Sequence, residues 1–262
     1  MAVLFDMQLR AMRRDRAART GAELFLFERT FDDCLDRLAL QPKTFARALL
    51  LGCPDLAWPS RLGAFAHQVE VADPGPLFAA AANGQSVVED DWRAAAGSFD
   101  LVVAIGTLDT VNDLPLALVR LRESMVPGGM LIGAMSGGDT LPMLRAAMRA
   151  ADEAMGGASP HVHPRVEAAS LAPLLVRCGF ANPVIDVDRV PVAYASFARL
   201  VADLRGMGAT NVLTERSRRP LSRAAAAAAT ASFAAAAIDG RTTETFEILH
   251  FACWAPGSAH QE

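Results

Sequence analysis

The segment Arg47-Ala48-Leu49-Leu50-Leu51-Gly52 is a short, almost continuous apolar run that ends in glycine. A run of this length without polar alternation is typical of a strand that is buried on both faces of a parallel sheet. Similar runs recur along the chain at residues 67–72, 86–89, 99–105 and 130–135. Together they predict five strands of one α/β sheet.

Helical patterns fill the intervals between these runs, at 58–65, 76–82, 114–125 and 140–155. Two helices are predicted before the first strand, at 4–19 and 24–38, and later segments predict helices at 167–178, 194–204 and 223–237 and strands at 184–190 and 245–254. Strands alternating with helices indicate a doubly wound, mostly parallel α/β sheet, whose ligands bind outside the carboxyl ends of the strands. We expect residues 1–45 to be N-terminal helices of the same domain, 46–256 the sheet domain and 257–262 a tail.

Composition excludes several classes of protein. The 262 residues carry 25 Lys and Arg against 29 Asp and Glu, a net charge of -4, which lacks the basic excess of a protein made to bind nucleic acid. The four cysteines form no Cys-x-x-Cys pair, so a reducing compartment is predicted. Without a signal-peptide pattern or a run of about 18 apolar residues, we expect a cytoplasmic protein with no membrane span, with peripheral association left open.

The first predicted helix has a strongly basic face, formed by Arg10, Arg13, Arg14 and Arg16. We expect this face to be solvated. The alternative is that it docks on an acidic surface of a partner protein. The alanine-rich run at 223–237 has Phe233 and Ile238 on one side and predicts a packed helix instead of a linker.

The first two strand ends carry residues that fit a nucleotide-like cofactor. Gly52 is the only glycine of the first turn, and Pro54 has no N–H to donate. Asp73 ends the second strand, where an acid can accept both hydroxyls of an adenosine ribose. Asp73-Pro74-Gly75 fits a turn equally well.

Three further strand ends line the same edge. Glu89, Asp90 and Asp91 follow the third strand and could accept an adenine amino group, and Ile105-Gly106 ends the fourth. Asn112 or Asp113 could cap the helix that begins at Leu114-Pro115, and Asp139 or Thr140 could cap the helix that follows the fifth strand. His161 and His163 lie in a proline-rich loop without further ligands, so no metal site is predicted.

Several motifs, taken in order, make the chain recognisable. They are Leu4-Phe5-Asp6, Arg13-Arg14-Asp15-Arg16-Ala17-Ala18, Phe99-Asp100-Leu101-Val102, Asn112-Asp113-Leu114-Pro115, Gly138-Asp139-Thr140-Leu141, Cys178-Gly179-Phe180, Tyr194 and Asp203-Leu204-Arg205-Gly206-Met207-Gly208 with Asn211. The set resembles the alphaproteobacterial and mitochondrial branch of the class I S-adenosylmethionine-dependent methyltransferase fold that contains the respiratory complex I assembly factor. That branch is similar to the malonyl-carrier-protein methyltransferases of biotin synthesis.

The resemblance implies a seven-stranded, Rossmann-like methyltransferase sheet with a helical insertion before its last strand. It also implies S-adenosylmethionine over the strand ends, with Gly52 under the methionine part, Asp73 on the ribose, Glu89 to Asp91 near adenine, and Ile105-Gly106 beside the sulfonium. Candidates for substrate contact are Asn112, Asp113, Asp139, Thr140 and Tyr194. No catalytic residue is predicted.

The chain departs from this family at two places. Cys53-Pro54-Asp55 stands where the family has a Gly-x-Gly core, and Asp109-Thr110 stands where a His-Trp pair often precedes Asn-Asp-Leu-Pro. The leading hypothesis is an S-adenosylmethionine-dependent methyltransferase-like protein that modifies a protein side chain or a small molecule, with a complex I subunit as a candidate substrate. The alternatives are a non-catalytic assembly or binding protein with a degenerate cofactor site, and a protein arginine hydroxylase.

Overall fold

The computed structural model describes residues 3–257, so the predicted tail lies outside the described residues except for Gly257. The strands are β1 (Phe45–Leu51), β2 (Ala66–Asp73), β3 (Gln85–Ser86), β4 (Phe99–Ile105), β5 (Met125–Ser136), β6 (Ala181–Tyr194) and β7 (Thr242–Trp254). The α-helices are α1 (Met7–Thr20), α2 (Phe25–Ala39), α3 (Trp58–Leu62), α4 (Pro76–Ala81), α5 (Leu114–Ser124), α6 (Pro142–Met155), α7 (Ala168–Arg177), α8 (Phe197–Gly206) and α9 (Arg223–Ala235).

The seven strands form one sheet in the order β3-β2-β1-β4-β5-β7-β6. The first five strands run parallel, and β7 lies antiparallel between β5 and β6. The predicted doubly wound, mostly parallel sheet is therefore confirmed. Because parallel strands end at the same edge, the carboxyl ends of β1, β2, β4 and β5 lie side by side.

The sheet is covered on both faces, as the apolar run of β1 predicts. Leu49 and Leu51 pack in a cluster with α5 and α7, whereas Leu50 belongs to the opposite cluster with α2 and α3. In that second cluster the rings of Phe31 and Trp58 stack with their centroids 4.2 Å apart. Burial on both faces fixes β1 as a central strand.

Two strand boundaries differ from the prediction. β3 has only two residues, so Glu89 lies in the turn that follows the strand instead of at its end. β6 is longer than predicted, since it pairs with β7 from Ala181 to Tyr194. Tyr194 therefore ends a strand, and α8 begins later, with Ser196 as its N-cap.

Helix α1 shows that the expected solvated basic face is wrong for two of its four arginines. Arg10 and Arg14 are buried, with exposed fractions of 4% and 5%. One turn separates them, so both point from the same side of the helix onto the sheet edge. Asp15 of α1 also accepts a hydrogen bond from the Leu77 N–H, at 2.9 Å, in the first turn of α4.

The alanine-rich helix α9 is packed, as predicted. Ala225, Ala229 and Phe233 are buried in a cluster with α6 and α8. The small alanine side chains of α9 let α6 and α9 approach each other closely. Among residues 3–257, none of the helices has the length and apolar content needed to cross a membrane.

Candidate functional site

The strand ends β1, β2 and β4 form the edge at which the cofactor is predicted. Asp73, the last residue of β2, has no exposed surface, and Glu89 in the turn after β3 is 2% exposed. The structure brings both acids to the predicted edge. Two arginines from α1 lie over them.

Asp73 has its hydrogen-bonding capacity filled by the protein itself. Its Oδ1 accepts from Arg14 Nε at 2.8 Å and from the Gly75 N–H at 2.6 Å. Its Oδ2 accepts from Arg14 Nη2 at 2.6 Å and from the Cys53 N–H at 2.8 Å. A carboxylate offers about four acceptor positions, and all four are used. The turn proposed for Asp73-Pro74-Gly75 is therefore present, and the acid has no free acceptor for a ribose hydroxyl.

Glu89 is occupied in the same manner by Arg10. Each oxygen of Glu89 accepts from one terminal nitrogen of Arg10 at 2.7 Å, and Arg10 also donates to the Thr107 carbonyl at 2.7 Å. Burial lowers the pKa of Arg10, but Glu89, with smaller contributions from Asp109 and Asp73, more than offsets this effect, so the pKa of Arg10 is raised. Such bidentate pairs are strong and directional.

The glycine turns at the same edge are filled by neighbouring groups. A Cβ at Gly52 would lie 2.3 Å from the Ile105 carbonyl oxygen, and one at Gly106 would lie 2.5 Å from the ring of Phe27. Both glycines have positive φ, at 90° and 59°. Backbone conformation and close packing thus account for these glycines without a ligand.

These observations test whether the edge fits S-adenosylmethionine. Asp73 and Glu89 lie where the family resemblance implies. However, Asp73, the predicted ribose acceptor, is paired with Arg14, and Glu89, near the predicted adenine position, is paired with Arg10. The ring of Phe27 covers Gly106, which is predicted to lie beside the sulfonium. Burial raises the pKa of the Cys53 thiol to about 12, so this residue is no thiolate nucleophile at neutral pH. With α1 docked, the residues do not fit the cofactor.

A separate cavity lies beside this edge, beyond the ends of β4 and β5. It leaves about 100 Å³ for the centres of water molecules, room for several of them, and its walls include Phe27, Leu204 and Phe246. Arg10 and Arg14 also line this cavity, so the two arginines that pair with Asp73 and Glu89 form part of its wall. Enclosed, mostly apolar spaces with a few polar groups are the usual form of small-molecule sites.

The polar end of the cavity is formed by Asp109, His163 and Arg165. Asp109 and Arg165 make a buried ion pair, and Arg165 also donates to the Asp109 carbonyl at 3.1 Å. Burial raises the pKa of Asp109, but Arg165, Ser136 and Arg10 together outweigh this effect, so the pKa lies below its ordinary value. Burial lowers the pKa of His163 to about 3, so its ring is neutral and its Nε2 accepts from the Val212 N–H at 2.9 Å.

Glu247 of β7 forms another wall of the cavity. It is 3% exposed and pairs with Arg189 at 2.9 Å. Thr140 donates its hydroxyl to the Glu247 carbonyl at 2.8 Å, which ties the loop after β5 to β7. Of the predicted substrate contacts, Thr140 lines the cavity, whereas Tyr194 is packed with α6 and α9 and Asp139 points outward.

The predicted caps are partly wrong. Asp113 caps α5 by accepting from the Leu116 N–H at 2.9 Å, as expected. The first turn of α6 is capped neither by Asp139 nor by Thr140, because Glu244 of β7 accepts from the N–H groups of Met143 and Leu144. A cap supplied from a distant strand leaves no local signal in the sequence.

The remaining predicted residues have structural roles. Asn112 exchanges two hydrogen bonds with the backbone of Phe5, which anchors the start of the chain. Asp90 accepts from the Asp113 N–H at 2.9 Å, and Asp91 is exposed. None of these three side chains is brought to the cavity.

The two histidines of the proline-rich loop, His161 and His163, contact different parts of the protein. His161 Nε2 lies 2.8 Å from Asp152, whereas His163 packs edge-on against Phe5. Within residues 3–257, no three His, Cys, Asp or Glu side chains come together as a metal site would require.

The residues that shape the site most leave little signal in the sequence. The spacing of Arg10 and Arg14 places them on one face of α1, but it does not show that this face is buried. The signal for Glu244 and Glu247 is their place within a strand that is mostly apolar. Acidic side chains in a buried strand are almost always paired, so they indicate hydrogen bonds or ion pairs with other parts of the protein.

The chain is similar in sequence to a known protein family and to individual proteins. Residues 22–184 match the methyltransferase-domain family. The human mitochondrial arginine-hydroxylase NDUFAF5 is 32% identical, over 96% of this chain and 76% of the human protein.

Two further relatives are matched over less of their length. The mouse arginine-hydroxylase NDUFAF5 is 39% identical over 60% of this chain and 46% of that protein. The malonyl-acyl-carrier-protein O-methyltransferase of Xylella fastidiosa is 33% identical over 63% of this chain and 54% of that protein. The chain thus spans about half the length of these two relatives.

Solved structures show the same fold. YcgJ of Bacillus subtilis superposes with a TM-score of 0.60 at 9% identity, over 88% of this chain and all of that chain. The N-methyltransferase NodS of Bradyrhizobium japonicum, solved with S-adenosyl-L-homocysteine, superposes with a TM-score of 0.51 at 15% identity, over 96% of this chain and all of that chain. By its match to the family over residues 22–184, this chain belongs to the methyltransferase-domain family, and by its similarity to the human protein it is a relative of the arginine-hydroxylase NDUFAF5 proteins.

Proposed function

We propose that this protein is a methyltransferase-fold assembly protein that acts by binding a protein partner in the assembly of respiratory complex I. In this proposal Asp73 and Glu89 hold α1 in place instead of holding S-adenosylmethionine. The observation that carries it is the buried Arg14–Asp73 pair, whose carboxylate has no acceptor left for a ribose hydroxyl.

The buried Arg14–Asp73 pair offsets the energy that a ribose would gain at Asp73. Removing one partner of a buried ion pair costs about 3–5 kcal/mol. A hydrogen bond to a charged group contributes about 1.5–3 kcal/mol. A ribose with both hydroxyls on Asp73 would make two such hydrogen bonds, so its gain is similar in size to the cost of displacing Arg14. The docked helix α1 therefore offsets the ribose interaction that Asp73 would otherwise supply.

The relatives supply the biological setting of the proposal. The motifs shared with the complex I assembly-factor branch run along nearly the whole chain, and the human relative aligns over 96% of it. The four cysteines are buried and free, which supports the predicted reducing, cytoplasmic location.

A second candidate is an enzyme that binds S-adenosylmethionine and modifies a protein side chain or a small molecule, and arginine hydroxylation belongs to the same class. The cavity beyond β4 and β5 favours it, because Asp109, His163 and Arg165 gather at one end of an otherwise apolar space. In this candidate α1 must release Asp73 before the cofactor binds.

Calorimetry separates the two candidates. Titrating the full chain with S-adenosylmethionine or S-adenosylhomocysteine up to about 1 mM, equivalent to binding near -4 kcal/mol, is expected to give no binding heat. The same titration of Arg14→Ala, which frees Asp73, reports whether α1 alone blocks the site, and Arg29→Ala on α2 is the control. A saturable isotherm with the wild-type protein would overturn the proposal.

A further inference from the structure

A basic groove lies on the surface outside the cavity. It runs between α1, α6, α8 and the loop that follows α8, and it is lined by Arg13, Arg205, Arg216, Arg218 and Arg219. We call these five residues the arginine groove. With a volume of about 710 Å³, it is large enough for several side chains of a bound segment.

Among the described residues, carboxylates balance only part of the positive charge of the arginine groove. Within residues 3–257, Arg13, Arg205, Arg218 and Arg219 have no carboxylate within 4.0 Å. Arg216 pairs with Asp6 at 3.2 Å. The acid that lines the groove, Asp152, is held by His161. Four guanidinium groups are thus left to meet charge from outside.

Burial and repulsion between neighbouring arginines both lower the pKa of Arg13. Burial lowers its pKa, and the nearby charges of Arg16, Arg216 and Arg205 lower it further. Its Nε is shielded from solvent and has no hydrogen-bond partner among residues 3–257. An anion in the groove would relieve both penalties, because it would supply opposite charge and an acceptor.

Apolar side chains lie among the arginines. Met155 and Leu221 line the groove and are 41% and 38% exposed, and Met148 and Val201 extend the same wall. Arginine and methionine are enriched in protein interfaces, and amphipathic helices bind in grooves through an apolar face. A nucleic-acid backbone would use the charges but not this apolar wall, and the chain has a net charge of -4.

We propose that the arginine groove binds an acidic, amphipathic segment of a partner protein. Carboxylates of the segment contact Arg13, Arg205, Arg218 and Arg219, while its apolar side chains cover Met155 and Leu221. The inference rests on the proposed function for the nature of the partner as a protein. It does not depend on whether S-adenosylmethionine binds.

Fluorescence anisotropy tests this proposal. The probe is a fluorescein-labelled amphipathic helix of Glu, Leu and Ala, titrated with the full chain. The double variant Arg218→Glu with Arg219→Glu reverses two exposed charges, and we expect its Kd to rise at least about tenfold, which is 1.4 kcal/mol. The matched control, Arg93→Glu with Arg177→Glu, makes the same charge change at exposed sites outside the groove and should leave the Kd within about twofold.

Three outcomes would overturn the proposal. They are equal binding by the groove variant and the wild type, equal weakening by the control variant, and displacement of the peptide by an equal concentration of single-stranded DNA. Thermal melting of both variants checks that they remain folded. A calorimetric isotherm with S-adenosylmethionine would overturn the proposed function and leave this titration unaffected, so the two failures are distinguishable.

Discussion

Arg10 and Arg14 decide how the sheet edge of this protein is used. Each closes a buried carboxylate that the family resemblance assigns to the cofactor, and each pair is nearly inaccessible to solvent. The sequence predicts the position of Asp73 because it depends only on where β2 ends. The identity of its partner depends on which face of α1 is buried, and helical spacing alone does not show this.

His163 supports a prediction about pH at the same scale. Its ring stays neutral in the folded protein because burial lowers its pKa to about 3, whereas a histidine in the unfolded chain has a pKa of about 6.5. Between these values the unfolded state holds more protons, so stability falls as the pH falls through this window. We expect His163→Gln to reduce the dependence of unfolding free energy on pH by up to about 1.4 kcal/mol per pH unit near pH 5.

Urea denaturation at several pH values measures this slope. His250 also has a pKa lowered mainly by burial, and it contributes in the same direction to both proteins, so the difference between wild type and variant isolates His163. The exposed His67→Gln is the control. Parallel pH profiles for wild type and His163→Gln would contradict the assignment of a neutral, buried ring.

At the scale of elements, most of the sheet could be predicted, but the bounds of its edge strands β3 and β6 could not. Apolar runs identify β1, β4 and β5 because these strands are buried on both faces. β3 is an edge strand of two residues, too short for a pattern to define. The cap of α6 comes from Glu244, about a hundred residues further along the chain, so local sequence suggested Asp139 and Thr140 instead.

Helix α9 provides a prediction about packing. Ala229 is fully buried in the cluster with α6, and a leucine there adds volume to a filled space. We expect Ala229→Leu to lower the free energy of unfolding by about 1–3 kcal/mol. The control Ala226→Leu changes an exposed residue of the same helix and should alter stability by less than about 0.5 kcal/mol. Equal urea midpoints for both variants would show that α9 is not packed as described.

At the scale of the whole molecule, charge is separated in a way that the net charge of -4 conceals. Two acids at the strand ends, Glu89 and Asp73, are neutralised by Arg10 and Arg14 of α1. Four arginines of the arginine groove, one of them Arg13 of the same helix, have no carboxylate partner among residues 3–257. One helix thus closes the predicted cofactor edge and supplies a wall of the proposed partner surface.

The central claim is that the carboxylate of Asp73 binds the guanidinium of Arg14 and not the ribose of a nucleoside. The most direct measurement is a crystal structure of the full chain grown with S-adenosylhomocysteine at about 1 mM, well above the Kd of any cofactor site of useful affinity. The predicted result is density for the Arg14 guanidinium on both oxygens of Asp73, with no nucleoside over Gly52. Density for an adenosine whose ribose hydroxyls contact Asp73, with α1 displaced, would contradict the account.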